Sequence, residues 1–290
     1  FAAVRKNDDW YALNRLGQPW GKKLNNFEST IKLHPIRYKF MPESYARSVI
    51  KEGLPLARKK VDSALSVLSD TASNDDANLV LKLLLGDASP QTRSQYLTYL
   101  NEVKADFAKV GLSNVIFDGS KNTEALASLN TTWYKEWQAA SHTEAARKKF
   151  IRINIHNFND NYRKEFFNSG TTADGLIHEM FHGAPDTRDF NYALAPDIYQ
   201  KGYQQLDVGP LLNLASGHAP AIPGKYPPVY LKSTTALKNA DSFAITTSLL
   251  SQLATNRPVY LENIKAMQLA LDRNRNGYIG VDVLVKLNTI

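Results

Sequence analysis

Along residues 44–69 apolar side chains return at helical spacing. Val49, Ile50, Leu54, Ala57, Val61, Ala64, Leu65 and Leu68 share one stripe, which predicts a long helix. Gly53 and Pro55 are expected to break or kink its first part. Residues 78–85 and 90–110 read as further helices, the second opened by Ser89 as N-cap with Pro90 in the first helical position. The pattern then changes. Residues 114–118 read as a short strand, and 149–158 alternate, with Ile151, Ile153 and Ile155 on one face and Arg152, Asn154 and His156 on the other. Helix returns over 160–182. A Gly-, Pro- and Tyr-rich stretch at 193–230 reads as a functional or covering loop. Helices follow at 236–254 and 259–271, and a short one closes the chain. Residues 1–40 have no sustained period and read as an extension draped over a core, with one strand over 30–40.

This order predicts an α+β protein, mainly helical with a small mixed sheet. It divides into a basic N-terminal extension (1–43), a central domain (44–255) and a C-terminal helix–loop–helix (256–290). With 290 residues and 43% hydrophobic content, the chain has ample material for a core. No window approaches 18 uninterrupted apolar residues, so a membrane-spanning helix is not expected. The first 60 residues hold 13 Lys and Arg against 5 Asp and Glu, a net of +8, while the remaining 230 are almost balanced at −1. A uniform nucleic-acid-binding surface is therefore not expected. Cysteine is absent, which removes disulfides, thiol nucleophiles and thiolate metal sites together. The chain opens on Phe1 rather than Met, and so reads as a processed or truncated form.

The sharpest chemistry is His178-Glu179-Met180-Phe181-His182, an H-E-x-x-H on an expected helix. Two imidazoles four residues apart stand one turn above each other and can chelate one zinc ion. Glu179 is then placed to take a proton from the metal-bound water. Ala173, Leu176, Ile177 and Met180 form an apolar stripe on the other side, and Gly175 leaves room on the histidine face. A hydrolytic zinc needs a third protein ligand. Pro185 and Arg188 stand where a metzincin would have Gly and His, and the first Glu after Glu179 is Glu262, which disfavours the gluzincin arrangement. Asp186, Asp189, Asp197, Asp207, His218 and Asp241 remain as candidates.

The segment Thr187-Arg188-Asp189-Phe190-Asn191-Tyr192 resembles the G-T-x-D-x-x-Y-G signature of the aspzincins, the deuterolysin and peptidyl-Lys metalloendopeptidase family. Asn239-Ala240-Asp241-Ser242-Phe243 resembles a second stretch of that family. The resemblance implies a zincin-like fold and a zinc-dependent endopeptidase acting on protein or peptide substrates. It implies His178, His182 and Asp189 as zinc ligands, Glu179 as general base and Tyr192 as the phenol that stabilises the transition state. Asp241 would lie near the S1′ pocket, with a mild attraction for a basic side chain. The missing cysteines point to a bacterial branch, and secretion with removal of a signal or pro-segment follows as an expectation. The competing reading is a catalytically silent zincin scaffold that binds partners through its basic N-terminal region.

Asp272, Asn274, Asn276 and Tyr278 occupy positions 1, 3, 5 and 7 of an EF-hand-like loop with Gly277 at position 6. Val283 stands at position 12 in place of a bidentate Glu, and two arginines oppose a dication. A structural helix–turn–helix cap is therefore preferred to a calcium site.

Overall fold

The structure is a computed structural model. It describes residues 3–6, 9–13, 19–23, 43–70, 74–119, 126–155, 169–185, 187–193, 205–222, 227–274, 278–280 and 282–287. Two compact units emerge, Phe1–Lys39 and Phe40–Ile290. In the first, strands β1 (Ala3–Lys6), β2 (Asp9–Leu13) and β3 (Pro19–Lys23) form an antiparallel sheet in the order β1-β2-β3. Pro19 opens an edge strand, where its missing N–H is tolerated. The N-terminal region thus has a sheet of its own that its irregular sequence does not announce. The strand expected over 30–40 lies outside the described residues.

The second unit is mostly helical. Helix α1 (Glu43–Ser69) runs through both Gly53 and Pro55 without interruption. Pro55 lies on the exposed side, so the carbonyl its ring leaves without a donor can turn to water. The opposite face, from Ala46 to Leu68, is buried and holds the helix in one piece. Gly53 has a different task. A Cβ there would come within 3.0 Å of Thr172, so the glycine allows close approach of two helices. Helices α2 (Asn74–Leu85) and α3 (Pro90–Phe107) follow, and the Ser89 side chain accepts from the Thr92 amide as the expected N-cap.

Strands β4 (Val115–Asp118), β5 (Ala127–Leu129) and β6 (Ile151–Asn154) form a mixed sheet in the order β4-β6-β5. β6 lies in the centre, parallel to β4 and antiparallel to β5. Ile151 and Ile153 are buried as their alternation requires. Short helices α4 (Thr131–Ala139) and α5 (His142–Ala145) separate β5 from β6. Helix α6 (Ser169–Gly183) carries the H-E-x-x-H. The stretch read as a covering loop contains β7 (Gln205–Asp207) and α7 (Gly209–Ala215). Helices α8 (Ala240–Thr255) and α9 (Arg257–Arg273) come next. The chain then returns as strand β8 (Leu284–Lys286), antiparallel to β7, where a closing helix was expected.

Helix α8 is the pillar of this unit, packed against α1, α2 and α6. From Ala240 to Leu253 every residue but Asp241 is buried. Its buried hydroxyls stay satisfied: Thr246 and Thr247 donate to carbonyls one turn back, and Ser248 donates to Asp174. Lys60 on α1 reaches the same Asp174 carboxylate at 2.5 Å, so one buried ionic cluster ties α1, α6 and α8 together.

Candidate metal centre

Within α6 most residues from Gly170 to Gly183 are buried, and the partly exposed ones are Thr171, Gly175, His178 and His182. These lie on one side of the helix, three or four residues apart. Ala173, Leu176, Ile177 and Met180 are fully buried on the other, and burial of each of the three larger side chains stabilises by about 1.5–3 kcal/mol. A Cβ on Gly175 would meet nothing within 4 Å among the described residues. Gly183 is the reverse case. A Cβ there would come within 2.8 Å of the Tyr134 ring, which closes the end of the helix beside His182.

Both imidazoles are oriented from behind. His178 Nδ1 lies 2.5 Å from Asp241 Oδ1, and His182 Nδ1 lies 3.0 Å from the carbonyl oxygen of Thr187. A carbonyl and a carboxylate can only accept, so each Nδ1 carries the proton and each Nε2 of a neutral ring presents a lone pair. The two Nε2 atoms are 3.0 Å apart, and Asp189 Oδ1 lies 3.2 Å from that of His178 and 3.1 Å from that of His182. Three acceptors converge where each would repel the others without positive charge between them. A tetrahedral ion with bonds of about 2.0–2.1 Å spaces its ligand atoms about 3.3–3.4 Å apart. The three edges are shorter than that spacing by about 0.1–0.4 Å, so a small outward movement of the ligand atoms would admit such an ion. His178, His182 and Asp189 are the one group of three side chains among the described residues that could hold a metal.

The electrostatics make the centre a sink for positive charge, whether protons or a cation. Burial disfavours a charged His178 ring, but Asp241 and Asp189 outweigh it and raise the proton affinity well above the usual imidazole range. Burial likewise opposes ionisation of Asp189, yet the two histidines hold its carboxyl far below the ordinary range. Glu179 differs from both. It is 4% exposed, and its Oε2 has no hydrogen-bond partner among the described residues. Burial pushes its pKa up, with the two histidines pulling the other way. Tyr192 is exposed and its ring lies 6.1 Å from that of His178, nearly parallel to it. Burial of the hydroxyl and the neighbouring Asp189 push the phenol's pKa up.

The short loop after α6 reaches the centre by folding straight back. Thr187 is buried and donates through both its amide and its hydroxyl to the Phe181 carbonyl, one of those that a helix end leaves without an internal partner. That turn delivers Asp189.

Asp241 lies beside the same centre. Expected on the substrate side, it sits behind His178, with Oδ1 on the ring and Oδ2 accepting from the Ala193 amide at 2.6 Å. Both oxygens are thus engaged inside the protein, one on the His178 ring and one on the main chain of the loop. Asp207 accepts from the amides of Gly209 and Val283, and His218 contacts Ser216 and the Tyr230 ring, so neither joins the centre. His156, Asp186 and Asp197 lie outside the described residues, as does Asn276. In the C-terminal loop, Asn274 donates to the Ala270 carbonyl at the end of α9, and Tyr278 is exposed. Val283 is core, and β8 follows, so the helix–turn–helix expectation is replaced by a helix–loop–strand. No three-residue metal group includes Asp272 among the described residues.

Sequence reasoning missed the supporting contacts: the Thr187 carbonyl, the Tyr134 ring against Gly183, and the Asn239 side chain. Thr187 and Asn239 stand inside the two motif segments, but nothing in their spacing says which atoms they hold. Comparison with protein-family models, with curated proteins and with solved structures finds no match to this chain.

Proposed function

We propose that this chain is a zinc-dependent endopeptidase of the aspzincin type on a zincin-like α+β scaffold. The observation that carries the reading is the convergence of two Nε2 lone pairs and one carboxylate oxygen beside a buried glutamate with an orphaned oxygen. Two imidazoles and one carboxylate are a donor set suited to zinc that leaves a coordination position open. Held by His178, His182 and Asp189, zinc would polarise a scissile carbonyl and acidify a water molecule.

The chain's own residues supply the rest. Glu179 is no ligand, and its raised proton affinity suits a group that takes a proton from the attacking water and passes it to the leaving amine. Tyr192 keeps its phenolic proton at neutral pH and donates it to the developing oxyanion. Such donors are typically worth about 3–4 kcal/mol. Asp241 and the Thr187 carbonyl hold the two rings in the tautomer that the metal requires. Strand β5 is an edge of its sheet and packs against α6, so its outer side can pair with an extended peptide near the centre.

The test is hydrolysis of quenched-fluorescent casein by the purified chain. Activity should disappear with 1,10-phenanthroline and return with one equivalent of zinc. A chain carrying one zinc that cleaves neither casein nor a mixed peptide library would refute the proposal.

A further inference from the structure

The residue that opens α8 does not cap its own helix. Asn239 occupies the N-cap position in an extended conformation (φ −101, ψ 119), yet its side chain makes no capping hydrogen bond, although asparagine is among the best capping residues. The fully buried side chain turns toward the loop after α6. Its Oδ1 accepts from the amides of Phe190 at 2.9 Å and Asn191 at 3.1 Å. Its Nδ2 donates to the Asn191 carbonyl and to Ser242 Oγ, each at 3.0 Å. Two acceptor sites and two donors are all used. Alongside, the Arg188 amide donates to the Lys238 carbonyl at 2.8 Å, and the Ala240 amide donates to the Arg188 carbonyl at 3.0 Å.

Residues 188–191 are therefore fastened to the start of α8 through their main chain, and Asp189 lies inside that fastened stretch. The loop needs such a fastening. Asp189, Phe190 and Tyr192 each keep between about a third and a half of their surface exposed, so apolar burial holds the loop only in part. We propose that Asn239 is a positioning residue, the side chain that keeps Asp189 against His178 and His182 and Tyr192 beside the same centre. This rests on the metallopeptidase reading for the identity of the ion and the role of Tyr192. Only a planar amide meets the pattern. Aspartate would face the Asn191 carbonyl without a donor, and alanine would leave two amides and a carbonyl without their partner.

The experiment measures zinc affinity of the full chain by competition with a chromogenic chelator, together with kcat and KM at saturating zinc. Asn239→Ala is expected to weaken zinc binding by about 10–100-fold, the usual effect of removing an outer support of a metal ligand, and to lower kcat more than it raises KM. Asn239→Ser, which keeps one hydroxyl acceptor and disturbs the fold less, should lie between. Val103→Ala, a core truncation on α3, controls for general loosening and should leave zinc affinity within about threefold of wild type. Zinc binding by both Asn239 variants as tight as wild type, or an equal loss in Val103→Ala, overturns the assignment. Zinc binding that Asn239→Ala weakens, without any peptidase activity in the wild type, removes the endopeptidase reading and leaves the positioning role standing. A wild-type chain that binds no zinc overturns both.

Discussion

Glu179→Gln should raise stability while removing activity. The wild-type carboxylate is 4% exposed with one oxygen unpartnered among the described residues, and the desolvation of burial outweighs the attraction of the two histidines. An orphaned buried polar group costs about 1–3 kcal/mol and a charged one more, so replacing carboxylate by amide should recover about 1–2 kcal/mol. For a chain of this size that is a rise of about 2–8 °C in melting temperature. The gain belongs to chelator-treated protein, because a bound cation would compensate the charge. Its pH dependence has a definite sign. Burial raises the folded-state pKa above the ordinary 4.5, so the native state holds this proton more tightly than the unfolded chain does. Wild type then bears no charge penalty well below pH 4.5 and loses stability as the pH rises past it. The difference between variant and wild type should be near zero at pH 4 and grow as the pH rises above it, while His178 and His182, whose proton affinity Glu179 raises, give up their protons at lower pH in the variant. In the zinc-loaded protein the same change should cut kcat/KM by about 10²–10⁴-fold, the range of a positioned acid–base group, with zinc content unchanged. A variant that melts at or below wild type at pH 7, or keeps kcat/KM within tenfold, refutes the reasoning.

Asp189→Ala should lower zinc occupancy in dialysed protein measured by metal analysis, whereas Asp186→Ala should not. Asp241→Asn should weaken zinc binding by about 10–100-fold in chelator competition, because the His178 ring loses its anionic support. With both oxygens of Asp241 committed inside the protein, a peptide-library digest should show no requirement for Lys after the scissile bond. Gly183→Ala drives a methyl group into the Tyr134 ring, and overpacking of this kind should cost about 1–3 kcal/mol, read as a fall in melting temperature.

The helices were legible where one face is apolar over several turns. The stripe from Val49 to Leu68 and the block around Ile177 are periodic enough to declare both helix and buried side. The short elements were not. Strands β5 and β7 are three residues each, too brief for a period to develop, and they exist because a neighbouring strand supplies their hydrogen bonds. Pro55 misled in the other direction. A local helix breaker was overruled by burial of the opposite face of α1.

The candidate centre divides the same way. The sequence alone determined which side chains can meet on one helix, since spacing by four fixes His178 above His182 and the apolar stripe fixes which way they look. It also supplied Asp189 and Tyr192 through a family resemblance, but with no geometry. Tertiary structure decided the rest, because a loop acid has no intrinsic direction. Asp189 reaches the imidazoles only because Thr187 folds onto the end of α6 and Asn239 ties down the next residues. Asp241 faces His178 because packing sets the start of α8 behind the histidine face of α6. Contacts between residues about fifty apart in the chain carry no signature in local periodicity. They arise when the core has settled which helices are neighbours.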